Sequence, residues 1–174
     1  MRQETAHARL LVALDGPRYS DLLAALATLI DDPPLNDAAI LPALSEVDRL
    51  VQHSVRRVQR MAARADASAE GADRERALHD VRNAAKRARY AAESAVPVLG
   101  KRSTKLARRM KRLQDLLGGL QDSVGSRRLL REVGAVACLS HDEAFTFGVL
   151  YGREEERSRL VQERYERVLR VALR

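Results

Sequence analysis

The chain has 174 residues, 45% hydrophobic, 32% charged and 3% aromatic, with 31 Lys and Arg against 24 Asp and Glu, a formal net charge of +7 and a pI of about 10.2. That is one domain's worth of chain or slightly more, with enough apolar residues for a core and a composition that favours helices over sheets. It excludes a membrane span, since no 18-residue apolar run exists, and an internal disulfide, since Cys138 is the only cysteine.

The N-terminal stretch, with Glu4 early and a short apolar run at 10–14, does not read as a secretory signal. Residues 2–14 are apolar-periodic and stop at Asp15-Gly16-Pro17, a turn signal. A short amphipathic helix follows over 18–31, with Leu22, Leu23, Leu26, Leu29 and Ile30, and stops at Asp31-Asp32-Pro33-Pro34. Residues 35–41 read as a linker. Pro42 suits the first turn of a helix over about 43–68. Gly71 separates that helix from one over 73–96, which ends near Pro97 and Gly100. A helix over 102–138 is expected to break near Gly118-Gly119 and to be weakened by Gly125 and Gly134. Cys138 lies in an apolar run and is expected to be a buried thiol, in keeping with a reducing, cytoplasmic setting. Ser140 and Glu143 form a capping-box pattern ahead of a last helix, about 141–172. No stretch alternates in polarity between turns, so the expected fold is all-α: an antiparallel, four-helix-bundle-like domain.

Charge is concentrated in the middle of the chain. Residues 1–48 hold 3 Lys/Arg against 8 Asp/Glu, residues 49–112 hold 18 against 6, and residues 113–174 hold 10 of each. At 100° per residue, the helix over 73–96 turns Leu78, Val81, Ala84, Ala85, Ala88, Ala92 and Ala95 to one face. His79, Arg82, Lys86, Arg89, Tyr90 and Glu93 lie on the other. Helix 102–117 has an apolar seam of Leu106, Met110, Leu113 and Leu117, flanked by Lys105, Arg108, Arg109 and Arg112. Helix 43–68 sets Val47, Leu50, Val51, Val58 and Met61 against a stripe of Arg49, His53, Arg56, Arg60 and Arg64. The last helix instead mixes signs, as an ordinary solvated surface does.

Like charges three and four apart destabilise a helix by roughly 0.2–0.5 kcal/mol per pair unless something neutralises them. A single basic stripe is commonly just a solvated face. Stripes on successive helices, which antiparallel packing could merge, point to a polyanion. Catalytic signatures are missing: there is no phosphate loop, no His-Glu-x-x-His and no Cys-x-x-Cys. His7, His53, His79 and His141 are too scattered for a local metal site. Asp115 and Asp122, beside the double glycine, suit a cap and an ion-pair partner better than a catalytic pair. The expectation is a binding protein with no cofactor and no metal, not an enzyme.

Two segments carry a resemblance. "LHDVRNAAKRARYAAE" followed by "LARRMKRLQDLLGGLQDSV" resembles the second half of a CHAD domain, the conserved histidine α-helical domain. His79, Arg82, Lys86, Arg87, Arg89 and Tyr90 match the family's histidine helix. Leu113, Gln114, Leu117, Gly118 and Asp122 match the motif after it. The resemblance implies an all-helical fold of two four-helix bundles around a basic pore, with inorganic polyphosphate bound by histidine, lysine and arginine. Such a domain carries two histidine helices, and this chain has only the second, so it resembles a C-terminal half. A second copy, or a missing N-terminal half, would then complete the pore.

On this reading His79, Arg82, Lys86, Arg87, Arg89, Tyr90, Lys105, Arg108, Arg109 and Arg112 bind polyphosphate, with His53, Arg56 and Arg60 as weaker candidates. Guanidinium groups suit the ligand because they offer several donors and stay charged, while histidine adds a donor that strengthens on acidification. The alternatives are nucleic acid, for which exposed aromatics and amides are few, and an acidic protein partner.

Overall fold

A computed structural model describes residues 2–140 and 144–174, and among them it contains seven α-helices and no strand. The chain divides into two compact units, one ending at Leu41 and the other starting at Pro42. The first holds α1 (Arg2–Leu14), α2 (Pro17–Asp31) and a 3-10 turn (Asp37–Ile40) within the expected linker. Pro17 starts α2 with its fixed φ, and the Asp32 N–H closes the helix on Thr28 O at 2.8 Å. A two-helix hairpin has one seam and no interior. Leu10, Leu11, Leu14, Leu22, Leu23, Leu26 and Leu29 accordingly stay exposed, and α2 buries nothing.

The second unit contains α3 (Ala43–Asp66), α4 (Ala72–Ser94), the single turn α5 (Val96–Leu99), α6 (Lys101–Leu139) and α7 (Phe145–Ala172). Gly71 and Gly100 precede α4 and α6 with φ of 84° and 59°, a region that glycine enters without strain. These tight turns reverse the chain, so α4 packs on α3 and α6, and α6 packs on α4 and α7. The core joins Val58, Ala62 and Ala65 of α3, Leu78, Val81, Ala84, Ala85 and Ala88 of α4, Met110, Leu113, Leu117 and Leu120 of α6, and Tyr165 and Ala172 of α7. Burying each of the larger aliphatic side chains stabilises the unit by about 1.5–3 kcal/mol.

Three buried serines fix the helix pairs. Ser103 Oγ donates to Ala92 O at 2.7 Å, Ser123 Oγ to Glu154 O at 2.6 Å, and Ser158 Oγ to Ser123 Oγ at 3.0 Å. Each buried hydroxyl thereby finds the partner that its burial requires.

Several expectations are corrected. The helix does not break at Gly118-Gly119: α6 runs unbroken for 39 residues. Two glycines cost a helix about 1 kcal/mol each, less than Met110, Leu113, Leu117 and Leu120 return by burial on either side. Ser140 closes α6 through its N–H and does not open α7, whose N-cap is Ala144; Glu143 and His141 lie outside the described residues. Cys138 is exposed, because α6 has by then passed beyond the core. Leu50 is 56% exposed, since the α3 core face centres on Val51, Val58, Ala62 and Ala65.

The Tyr165 side chain is fully buried, and its hydroxyl has no hydrogen-bond partner. Burial, then the nearby Asp66 carboxylate, pushes its pKa well above the ordinary phenol value, with Arg74 opposing. The neutral phenol is thus the form the fold prefers. Its contribution is complete below about pH 10, where the unfolded phenol begins to ionise, and is lost as pH climbs past that value. Tyr165→Phe removes the unmatched hydroxyl. It should leave stability near pH 7 within about 1 kcal/mol of the original or raise it, and it should lessen the loss above about pH 10; urea unfolding at the two pH values measures both effects.

Candidate polyanion-binding surface

The α4 ridge lies beside α6, and its character comes from what α6 places opposite. His79 Nδ1 is 2.9 Å from Gln121 Oε1. That oxygen accepts, so Nδ1 carries the proton and Nε2 is the free ring nitrogen. Arg82 lies against Gly118: a Cβ on that glycine would stand 3.6 Å from Arg82 Nε. Farther along, Arg89 lies 4.6 Å from the Tyr90 ring centroid and Lys86 Nζ lies 5.8 Å from it. Both cations use the ring as a weak counterpart.

Protein carboxylates do little to neutralise this ridge. Arg89 Nε is 3.5 Å from Glu93 Oε1, too poorly aligned for a hydrogen bond. Arg82 and Lys86 have no ion pair among the described residues. The Nε–H groups of Arg82, Arg89 and Arg109 are shielded from solvent and find no acceptor among the described residues, which is costly; a ligand meets the outer donors of these side chains instead. Acidic groups bound the ridge at both ends. Beyond His79 an open hollow of about 500 Å³ is lined by Glu75, Arg76, Asp80 and Gln121 among others, and Glu93 follows Arg89. The cationic track therefore runs from His79 to Arg89.

The other candidate residues are distributed differently. Arg87 is exposed but sits 100° around α4 from Lys86, off the ridge. Lys105, Arg108 and Arg112 are exposed on α6 and Arg109 is half-buried. At steps of three and four, Arg108, Arg112, Asp115 and Gly119 form one stripe, next to the line of Gly118 and Gln121 that meets α4. On α3, His53, Arg56 and Arg60 are exposed on the side opposite Val51, Val58, Ala62 and Ala65, the residues that α3 buries. No hydrogen bond or ion pair among the described residues joins them to the α4 ridge. Wheel positions show which face a residue takes but not which neighbour covers it. No group of three or more His, Cys, Asp and Glu among the described residues could hold a metal ion, and no helix among them is long and apolar enough to cross a membrane.

A histidine helix with an arginine and lysine ridge, backed by alanine and followed by a glycine-bearing helix, marks the family. Residues 1–131 match the CHAD domain family. The chain belongs to the CHAD domain family. Two proteins of Mycobacterium tuberculosis, one from each of two strains and both described as uncharacterized, are similar to it: each is 32% identical over 169 residues, 97% of this chain. The chain spans about a third (32%) of the length of these curated relatives. No solved structure matches it.

One contact that sequence reading missed anchors this CHAD domain's ridge at its acidic end. Arg127 Nη2 donates to Glu75 Oε1 at 2.5 Å, with both side chains largely buried. Burial alone would lower the Arg127 pKa, but the Glu75 hydrogen bond and charge, with help from Tyr151, outweigh it and raise the value. The pair spans 52 residues of sequence, so no local pattern signals it. Glu75→Ala strands the Arg127 charge and should destabilise the unit by about 1–3 kcal/mol, read as a lower denaturation midpoint at pH 7.

Proposed function

We propose that this CHAD domain binds inorganic polyphosphate along the α4 ridge, with His79, Arg82, Lys86 and Arg89 as its principal contacts. The observation that carries the reading is the line of cations whose donors the protein itself leaves largely unmatched. A linear polyanion supplies acceptors at close, regular intervals along such a line. Each guanidinium can then form short charge-assisted bonds while releasing counterions. Arg108, Arg109 and Arg112, with Lys105, add a second cationic stripe on α6 and raise the local potential.

The geometry favours polyphosphate over single-stranded nucleic acid for a specific reason. Tyr90 is the only aromatic on the ridge, and the Arg89 guanidinium and Lys86 ammonium already lie against its ring. Base stacking on the ring would have to compete with these cations, and a single-strand site calls for more than one aromatic. The reading is of a binding module rather than a catalyst, in a cytoplasmic setting that accords with a lone exposed thiol.

His79 turns Nδ1 to Gln121 and leaves Nε2 for the ligand. Combined Arg82→Glu and Lys86→Glu should weaken polyphosphate binding at least tenfold. It should also reduce the slope of log K against log salt by about 1.4, roughly 0.7 per lost contact. Titration of labelled polyphosphate across a salt series, with single-stranded and duplex DNA as competitors, measures both. Unchanged affinity and slope in the double variant would remove the ridge from the binding site.

A further inference from the structure

Gly118 and Gly119 are adjacent on α6, and each is overlaid by an arginine from a different helix. Arg82 of α4 reaches over Gly118. Arg157 of α7 reaches over Gly119, with Nη2 4.0 Å from where a Cβ would stand. Packing does not require glycine at either site. Neither has a positive φ, and both contacts are of ordinary van der Waals length, so a methyl group would fit. A side chain longer than alanine would instead press on the arginine over each site, Arg82 at Gly118 and Arg157 at Gly119. The α6 stripe of Arg108 and Arg112 leads to Gly119 with Asp115, which Lys111 engages, in between.

On the α7 side the groove between α6 and α7 opens into a hollow of about 560 Å³, lined by Ser126, Arg153, Glu154 and Arg157 together with three leucines. Arg157 is 57% exposed and only loosely held: its Nη1 lies 3.8 Å from Glu154 Oε1. The other Glu154 oxygen is buried without a hydrogen-bond partner. Arg153 carries no ion pair among the described residues. The opposing charges nearby are Glu154, exposed Asp122, and Asp115, which Lys111 already engages.

We infer that a long polyanion does not end at the α4 ridge but crosses α6 over the Gly118-Gly119 saddle, and that Arg157, with Arg153 and the Ser126 hydroxyl, forms a second binding segment on α7. The inference rests on the polyphosphate reading and extends it: α7 becomes part of the site, and affinity depends on ligand length. A ligand of few phosphates is satisfied on the ridge alone. Only a long one reaches across.

The experiment compares tripolyphosphate with long-chain polyphosphate on the 174-residue chain and four variants, with circular dichroism confirming helix content. Arg157→Glu and Gly119→Leu should each weaken long-chain binding about tenfold while leaving tripolyphosphate within about twofold. Arg167→Glu makes the same charge change on an exposed part of α7 and should leave both ligands unaffected, since exposed charges beyond roughly 8 Å are screened at physiological salt. Arg82→Glu should weaken both ligands. If Arg157→Glu behaves like Arg167→Glu on the long chain while Arg82→Glu still weakens binding, the crossing is wrong and the ridge stands. If neither ligand binds the unaltered chain, or Arg82→Glu changes nothing, the ridge reading fails and the crossing with it.

Discussion

The close approach of α4 to its neighbours is the constraint from which the rest follows. α4 buries Leu78 and Val81 at one end, then Ala84, Ala85, Ala88 and Ala92, all at 1% exposure or less. Methyl-sized contacts bring helix backbones near one another. A larger side chain at any of these positions would push α6 outward. Because α6 is close, the long side chains at the edge of the alanine face have little room to spread. They lie along the α4–α6 boundary, where Gln121 orients His79 and Gly118 admits Arg82. The ridge is a consequence of the small side chains behind it.

That arrangement has an electrostatic cost, which the rest of the molecule does not remove. On α7, Arg159 is bracketed by Glu156 and Glu163, so charge is cancelled within a turn in either direction. On α4 the corresponding carboxylates stand only at the ends of the ridge. The core of Met110, Leu113, Leu117 and Tyr165 holds these cations in line despite their mutual repulsion. For the polyphosphate proposed above, cations already held in line would need little rearrangement on binding.

How much of this was legible in the sequence depended on whether the cause was local. The faces of α3 and α4 could be read because period 3.6 alone separates Val58 and Ala62 from Arg56 and Arg60, and Val81 and Ala85 from Arg82 and Lys86. Gly71 and Gly100 could be read as stops because a turn is a local event. The continuity of α6 could not, because glycine's penalty is local while the burial that overrides it comes from α4 and α7. The exposure of Cys138 and Leu50 likewise depends on where a neighbouring helix ends. Arg157, proposed above as part of a second segment, carries no signal of its own because its helix mixes signs like any solvated surface. The signal lay on α6, in a second glycine with no turn to make.

At 1.5 Å per residue, α6 is about 58 Å long and α4 about 35 Å. Past Arg127, which meets α4 near its start, the packing partner of α6 among the described residues is α7, and Leu129, Val133, Val136 and Leu139 are exposed. The end held by both α4 and α7 and the end held by one neighbour cannot share a single opening free energy. The free energy of local opening along α6 should fall from Leu113 toward Leu139. Gly118 and Gly119 lie inside the clamped part, ahead of the buried Leu120 and Ser123 and of the Arg127 contact to α4.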